Sequence, residues 1–198
     1  MKAYKGFNQH EDGTMWCRDF QYEVGKPYKF DGAPMLCLQG FHACHEPHQC
    51  WTFYPNNGKN VYYEVECGGE IVESDDVDSK FVCTEIILVR EIPTPENKFD
   101  YCRYFRDGYA SVRLDGKYNH INMEGKYLSE QWWDWCGYFH DGYTWVRLNG
   151  KYNYINVEGK LLSKQWWDWC GEFYDGYAMV MLKGKCFKLD KNGKMIKW

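Results

Sequence analysis

The chain predicts a mainly β protein: an N-terminal α+β module over residues 1–92, a proline-containing linker at 93–96, and a C-terminal array of three 34-residue β-hairpin repeats over 97–198. Three observations predict it. The segment Gln131-Trp132-Trp133-Asp134-Trp135-Cys136 recurs 34 residues later as Gln165-Trp166-Trp167-Asp168-Trp169-Cys170. Asp107-Gly108-Tyr109, Asp141-Gly142-Tyr143 and Asp175-Gly176-Tyr177 keep the same spacing, which lies within the window of stacked or radial repeat architectures. Upstream of residue 93, short β-like runs alternate with glycine turns and lack that period.

In chain order, strands are expected at Lys2–Phe7, Phe20–Val24, Pro27–Phe30, Val61–Cys67 and Phe81–Val89, with a short helix within Pro47–Tyr54. Ile92-Pro93-Thr94-Pro95-Glu96 reads as a stiff linker, because two prolines in four residues resist both helix and central strand. Asn97-Lys98-Phe99-Asp100-Tyr101-Cys102 is a worn copy of the tryptophan segment and places the start of the array near Pro95.

Each repeat then carries two apolar-alternating runs. Asp115-Gly116 and Asn149-Gly150 are strong two-residue hairpin loops, because both central residues need a positive φ; Lys183-Gly184 is a weaker version. Such loops fix the register, setting Arg113 opposite Tyr118, Val112 opposite Asn119 and Ala110 opposite Ile121. Ala110, Val112, Ile121 and Asn119 therefore share an inward face, as do Thr144, Val146, Ile155 and Asn153 in the second copy. An inward amide without partners costs about 1–3 kcal/mol, so Asn119 and Asn153 are expected to bond backbone at a turn or a neighbouring copy. The tryptophan segment reads as a third strand or extended connection. Alternation puts Trp133 and Trp135 on one side and Trp132 on the other, with the rings contributing to the core.

Residues 1–95 hold 8 basic and 15 acidic side chains, a net of −7, whereas residues 96–198 hold 16 and 13, a net of +3. The mildly basic, aromatic array suits an anionic, ring-containing partner and falls far short of the basic stripe of a duplex-DNA binder. No run approaches the roughly 20 apolar residues of a membrane span, and Met1–Thr14 is too polar for a secretory signal, so a whole-chain, soluble, cytoplasmic protein with reduced cysteines is expected. Cys102, Cys136 and Cys170 share one repeat position and read as small buried residues.

The outward face of the first two hairpins gathers the candidate ligand-binding residues Arg113, Tyr118, His120, Tyr143, Trp145, Arg147, Tyr152 and Tyr154. Guanidinium and ring side by side form a platform able to stack a base or grip a phosphate. The alternative is that the tryptophan segment or the N-terminal half covers these rings, making them a second core layer. In the N-terminal part, Cys37, His42, Cys44, His45, His48 and Cys50 crowd one segment. A closed metal site usually draws ligand pairs from two segments, so no metal and no cofactor are assigned. The acidic run Glu70–Asp78 lacks the spacing of a calcium loop and reads as solvated. No nucleophile elbow, P-loop or dinucleotide fingerprint is present.

The array, with an aromatic, Asp-Gly-Tyr, a hydrophobic strand, Gly-Lys, an aromatic-Asn run and a further Gly-Lys, is similar to the WG repeat family, whose members are taken as interaction modules. It departs from that family where Tyr118-Asn119 and Tyr152-Asn153 stand in place of Trp-Gly. Lys5-Gly6-Phe7, Cys17 to Lys26, Gly40-Phe41-His42-Ala43-Cys44 and Pro47 resemble an uncharacterised module of phage and gut-bacterial proteins, which implies a phage or prophage origin. The order of a basic strand residue, Gly-Phe-His, a short helix and Glu64-Val65-Glu66 also resembles the split core of ADP-ribosyltransferases. That resemblance implies Glu66 as catalytic acid acting on NAD, with His42 or Tyr4 near the nicotinamide and the repeats as target-binding module.

The reading that follows is a non-enzymatic, phage-derived binding protein acting in a bacterial cell. It holds a host protein or sequesters a small anionic nucleotide-like ligand, with interference in host defence as one use. Assembly into oligomers through repeat edges is a third class.

Overall fold

Ala3, Lys5 and Phe7 alternate along the first strand, β1 (Lys2–Gln9), and all three are buried on its inward face. In the computed structural model, which describes residues 1–74 and 80–196, β1 belongs to the first of two compact units, Met1–Tyr104 and Phe105–Trp198. The strands that follow in this unit are β2 (Met15–Cys17), β3 (Phe20–Tyr22), β4 (Pro27–Lys29), β5 (Phe41–Cys44), β6 (Asn60–Glu73) and β7 (Lys80–Ile92). β6 pairs antiparallel with both β1 and β7, and β5 pairs with β7 and meets β1 at Tyr4 and Cys44. These four strands thus close a ring of pairings, with β2 and β3 extending from β1 and β4 laid on β7. Phe7, Tyr22, Phe41, Tyr63, Val65, Phe81 and Leu88 fill the core.

The long β6–β7 ribbon is bent at Gly68–Ile71, where the register shifts. Gly69 has a φ of +70°, and a Cβ there would lie 2.0 Å from the Thr84 hydroxyl, which accepts the Glu70 N–H at 2.9 Å. Only glycine permits that bulge. The expected Glu70–Asp78 loop is corrected where it is described, since Glu70–Glu73 belong to β6, held there by pairing with β7; residues 75–78 lie outside the described residues.

The expected helix is a 3₁₀ turn at Pro47–Gln49 running into α1 (Cys50–Phe53). Two strands were not foreseen. Met15–Cys17 is too short to show alternation, and Phe41–Cys44 is drawn into the sheet by β7. The proline stretch is fixed to this unit by buried Asn56, whose Nδ2 donates to Pro95 O at 2.8 Å and Asn97 O at 2.7 Å. Phe99 is buried beside Trp51, 6.1 Å between centroids.

In the second unit the three hairpins are Tyr109–Leu114 with Lys117–Asn122, Tyr143–Leu148 with Lys151–Asn156, and Tyr177–Leu182 with Lys185–Asp190. Their register is the one expected, Arg113 with Tyr118 and Arg147 with Tyr152. Asp115, Asn149 and Lys183 have φ near +50° and are followed by glycines near +75°, the type I′ geometry that matches strand twist. The inward amides are satisfied as expected: Asn119 donates to Ser129 O and Asn153 to Ser163 O, each at 2.7 Å, and each accepts the next residue's N–H.

Each tryptophan segment crosses from one hairpin to the next. Trp133 exchanges backbone hydrogen bonds with Tyr118 of the preceding hairpin, while Asp134 N–H donates to Arg147 O of the following one; Trp167, Tyr152, Asp168 and Met181 repeat the pattern. That switch of partner breaks the alternation. Trp133 and Trp167 are 2% and 1% exposed, whereas Trp135 and Trp169 are 41% and 47% exposed. The expectation that Trp133 and Trp135 share a side, with all three rings buried, is therefore corrected.

Two further contacts join the repeats. Asp134 takes the Lys117 ammonium at 2.5 Å on one oxygen and the Asn149 N–H at 2.7 Å on the other. Asp168 does the same with Lys151 at 2.5 Å and the Lys183 N–H at 2.6 Å. Gly159, at φ +74°, sits where a Cβ would meet Leu128 O at 2.1 Å, so the second Gly-Lys turn is where one repeat rests on the backbone of the previous one.

Candidate functional site

The crossing of the tryptophan segment decides what the array shows to solvent. Trp135 pairs with Arg147, and Arg147 with Tyr152, so the three share one face across three strands. The Arg147 guanidinium lies 5.6 Å from the Tyr152 ring centroid. Trp135 covers Tyr118, with centroids 4.5 Å apart. In the next sheet Trp169 pairs with Met181, and Met181 with Cys186, repeating the row with softer side chains.

The expected platform is therefore only partly a surface. Arg113 and Arg147 are exposed, and Tyr143, Trp145 and Tyr152 are half-buried. Tyr118, His120 and Tyr154 are buried. His120 and Tyr154 form a second core layer: the His120 Nε2 lies 2.9 Å from Gly137 O, and the Tyr154 hydroxyl donates to Gly171 O at 2.8 Å. Each also meets a phenylalanine of the next repeat edge-on, Phe139 at 5.0 Å and Phe173 at 4.9 Å. Trp145 lies against the backbone of Gly137, where a Cβ would be 2.4 Å from its indole nitrogen. These three buried side chains cannot receive a ligand, because the next repeat occupies the place a base would take. Trp135 and Trp169, assigned to the core by alternation, replace them at the surface. The aspartate between the last two tryptophans was the available signal, since a charged residue there marks a change of face.

In the N-terminal unit, Tyr4 and His42 line a cleft of about 540 Å³. Glu66 lies on a separate depression with Lys2, Glu64 and Glu85. Strand β1 places Lys2, paired with Glu66, near one end and Tyr4 further along it. In the Cys/His-rich segment His42 Nε2 accepts the Cys37 N–H at 2.7 Å, His45 pairs with Glu73 at 2.9 Å, and Cys44 and Cys50 are buried. Burial first, and then Lys5, Arg18 and Lys80, hold the His42 ring down to a pKa of about 4. All ten cysteines are free thiols, with Cys102, Cys136 and Cys170 buried at their common repeat position.

Residues 1–100 match a family described as a domain of unknown function, DUF7666. The chain belongs to the DUF7666 family. Downstream of that domain, residues 98–118, 121–152 and 154–186 each match the WG containing repeat, so the DUF7666 module is followed by three WG repeats. No curated protein and no solved structure matches the chain. Among the described residues of this DUF7666 protein no helix is long and apolar enough to cross a membrane.

Proposed function

We propose that this protein is a binding protein whose WG array docks another protein through the row formed by Trp135, Arg147 and Tyr152 and continued by Trp169 and Met181. The carrying observation is the outward placement of one tryptophan in each of two successive repeats, 41% and 47% exposed, the first of them beside the exposed Arg147. Tryptophan, tyrosine and arginine dominate interface hot spots, and methionine is enriched there. The net of +3 on residues 96–198 favours a partner with an acidic rim. A phage origin would make that partner a host protein, with an anti-defence role as one outcome of holding it.

A photo-crosslinking side chain placed at 169 and expressed in the source cell tests the reading. One protein should be captured, and the same protein should be retained by purified wild-type chain but lost with Trp135→Ser plus Trp169→Ser, and weakened by Arg113→Ala plus Arg147→Ala. Equal retention by the folded variants would sink the reading.

A further inference from the structure

Lys5 is a lysine in a core position. It follows Ala3 and precedes Phe7 on the inward face of β1, and it is 4% exposed. Lysine is almost never so buried without a partner of opposite charge. Here the ammonium makes one hydrogen bond, to His42 O at 2.7 Å, and lies 5.5 Å and 5.6 Å from the rings of Phe7 and Tyr22. Among the described residues no carboxylate pairs with it. Two of its three donor directions are thus left to ring faces or to the clefts beside it.

Those clefts are two. The first, about 540 Å³, has Lys5, Arg18 and Lys80 against one carboxylate, Asp100, and is walled by Phe53 and Tyr54. The second, about 440 Å³, shares Lys5, Arg18 and His42 with it. Both fall within the size of small-molecule sites, about 300–1,000 Å³. Arg18 is held at the rim by its bond to Cys37 O at 3.1 Å. Tyr54 packs against Gly6, where a Cβ would be 2.7 Å from the ring, so glycine at that position lets an aromatic wall sit directly on the strand that carries Lys5.

We propose that this cleft of the DUF7666 unit is a binding site for a small oxyanion-bearing ligand, a phosphate monoester or a carboxylate, whose charged group meets Lys5 and Arg18 while its flat portion packs on Tyr54 and Phe53. An anion would supply the counter-charge that the fold withholds from a buried ammonium, and charge-assisted hydrogen bonds are the strong ones. The electrostatics agree: after burial, which acts first, Lys5, Arg18 and Lys80 all push the His42 ring toward its neutral form. Neutral His42 in turn accepts the Cys37 N–H and leaves the positive charge to the lysines and arginine.

Calorimetric titration of the full chain with AMP, benzoate and adenosine tests the site. AMP or benzoate binds and adenosine does not, with AMP identifying a phosphate ligand and benzoate a carboxylate. Lys5→Met and Arg18→Gln each weaken the anion by about tenfold or more. Arg18, at the rim, serves if Lys5→Met fails to fold. Absence of binding by both anions, equal binding of adenosine, or anion binding unaltered in the folded variants would overturn the proposal.

Discussion

Trp135 lies over Tyr118 with 4.5 Å between ring centroids, so a tryptophan paired into the second hairpin's sheet roofs a tyrosine of the hairpin before it. The same crossing buries Trp133 and turns Trp135 outward. Packing between repeats and display to solvent are thus two results of one change of partner at Asp134.

Asp134→Ala should destabilise the array by about 1 kcal/mol, because the Asn149 N–H loses its acceptor. The Lys117 pair adds little, since surface ion pairs are worth about 0–1 kcal/mol. Urea denaturation should accordingly show Lys117→Met as the milder variant. A larger loss for Lys117→Met would mean that the ion pair, and not the turn contact, joins the repeats.

Gly159→Ala should cost about 2 kcal/mol or more, from the left-handed backbone and the approach to Leu128 O together. Gly150→Ala, with the same sign of φ and open space around its Cβ position, should cost less. Equal losses in thermal melts would show that φ alone sets the requirement.

His120→Phe should lose about 1 kcal/mol or more, by stripping Gly137 O of its donor in a buried layer. His120→Tyr should stay closer to wild type, since Tyr154 performs the same task toward Gly171 O one repeat later. Chemical denaturation of both variants checks the order, and a reversed order would break the equivalence of the two positions.

Acid should act on the chain in two windows. The His42 pKa is lowered in the folded state from 6.5 to about 4, so between those values the unfolded chain binds the extra proton and stability falls as pH falls. Burial lowers His48 in the same direction. Asp134 and Asp168 are also held below the ordinary carboxylate value, first by Lys117 and Lys151 and then by the Asn149 and Lys183 N–H groups. Their contribution is present above pH 4 and lost only below it. His42→Gln should shrink the upper window to the share left by His48 and leave the lower one, as followed by histidine NMR titration and thermal melts. An unchanged upper window would place its origin elsewhere.

The hairpins were legible because a two-residue loop pins register, and register pins every opposed pair down to Asn119 and Asn153. The exposed row was not, because alternation assumes that a strand keeps one partner, and Trp133 and Trp135 have different ones. β5 escaped notice because its four residues take their conformation from β7 rather than from their own pattern. Lys5 could have been found: alternation from Ala3 to Phe7 already puts a charge on the inward face, and that conflict was the signal of the cleft.

Oxidative labelling of the native chain, read tryptophan by tryptophan by mass spectrometry, tests the crossing most directly. Trp135 and Trp169 should be modified several-fold faster than Trp133 and Trp167. Comparable rates within each pair, or faster modification of Trp133 and Trp167, would contradict the exchange of hairpins and with it the docking surface.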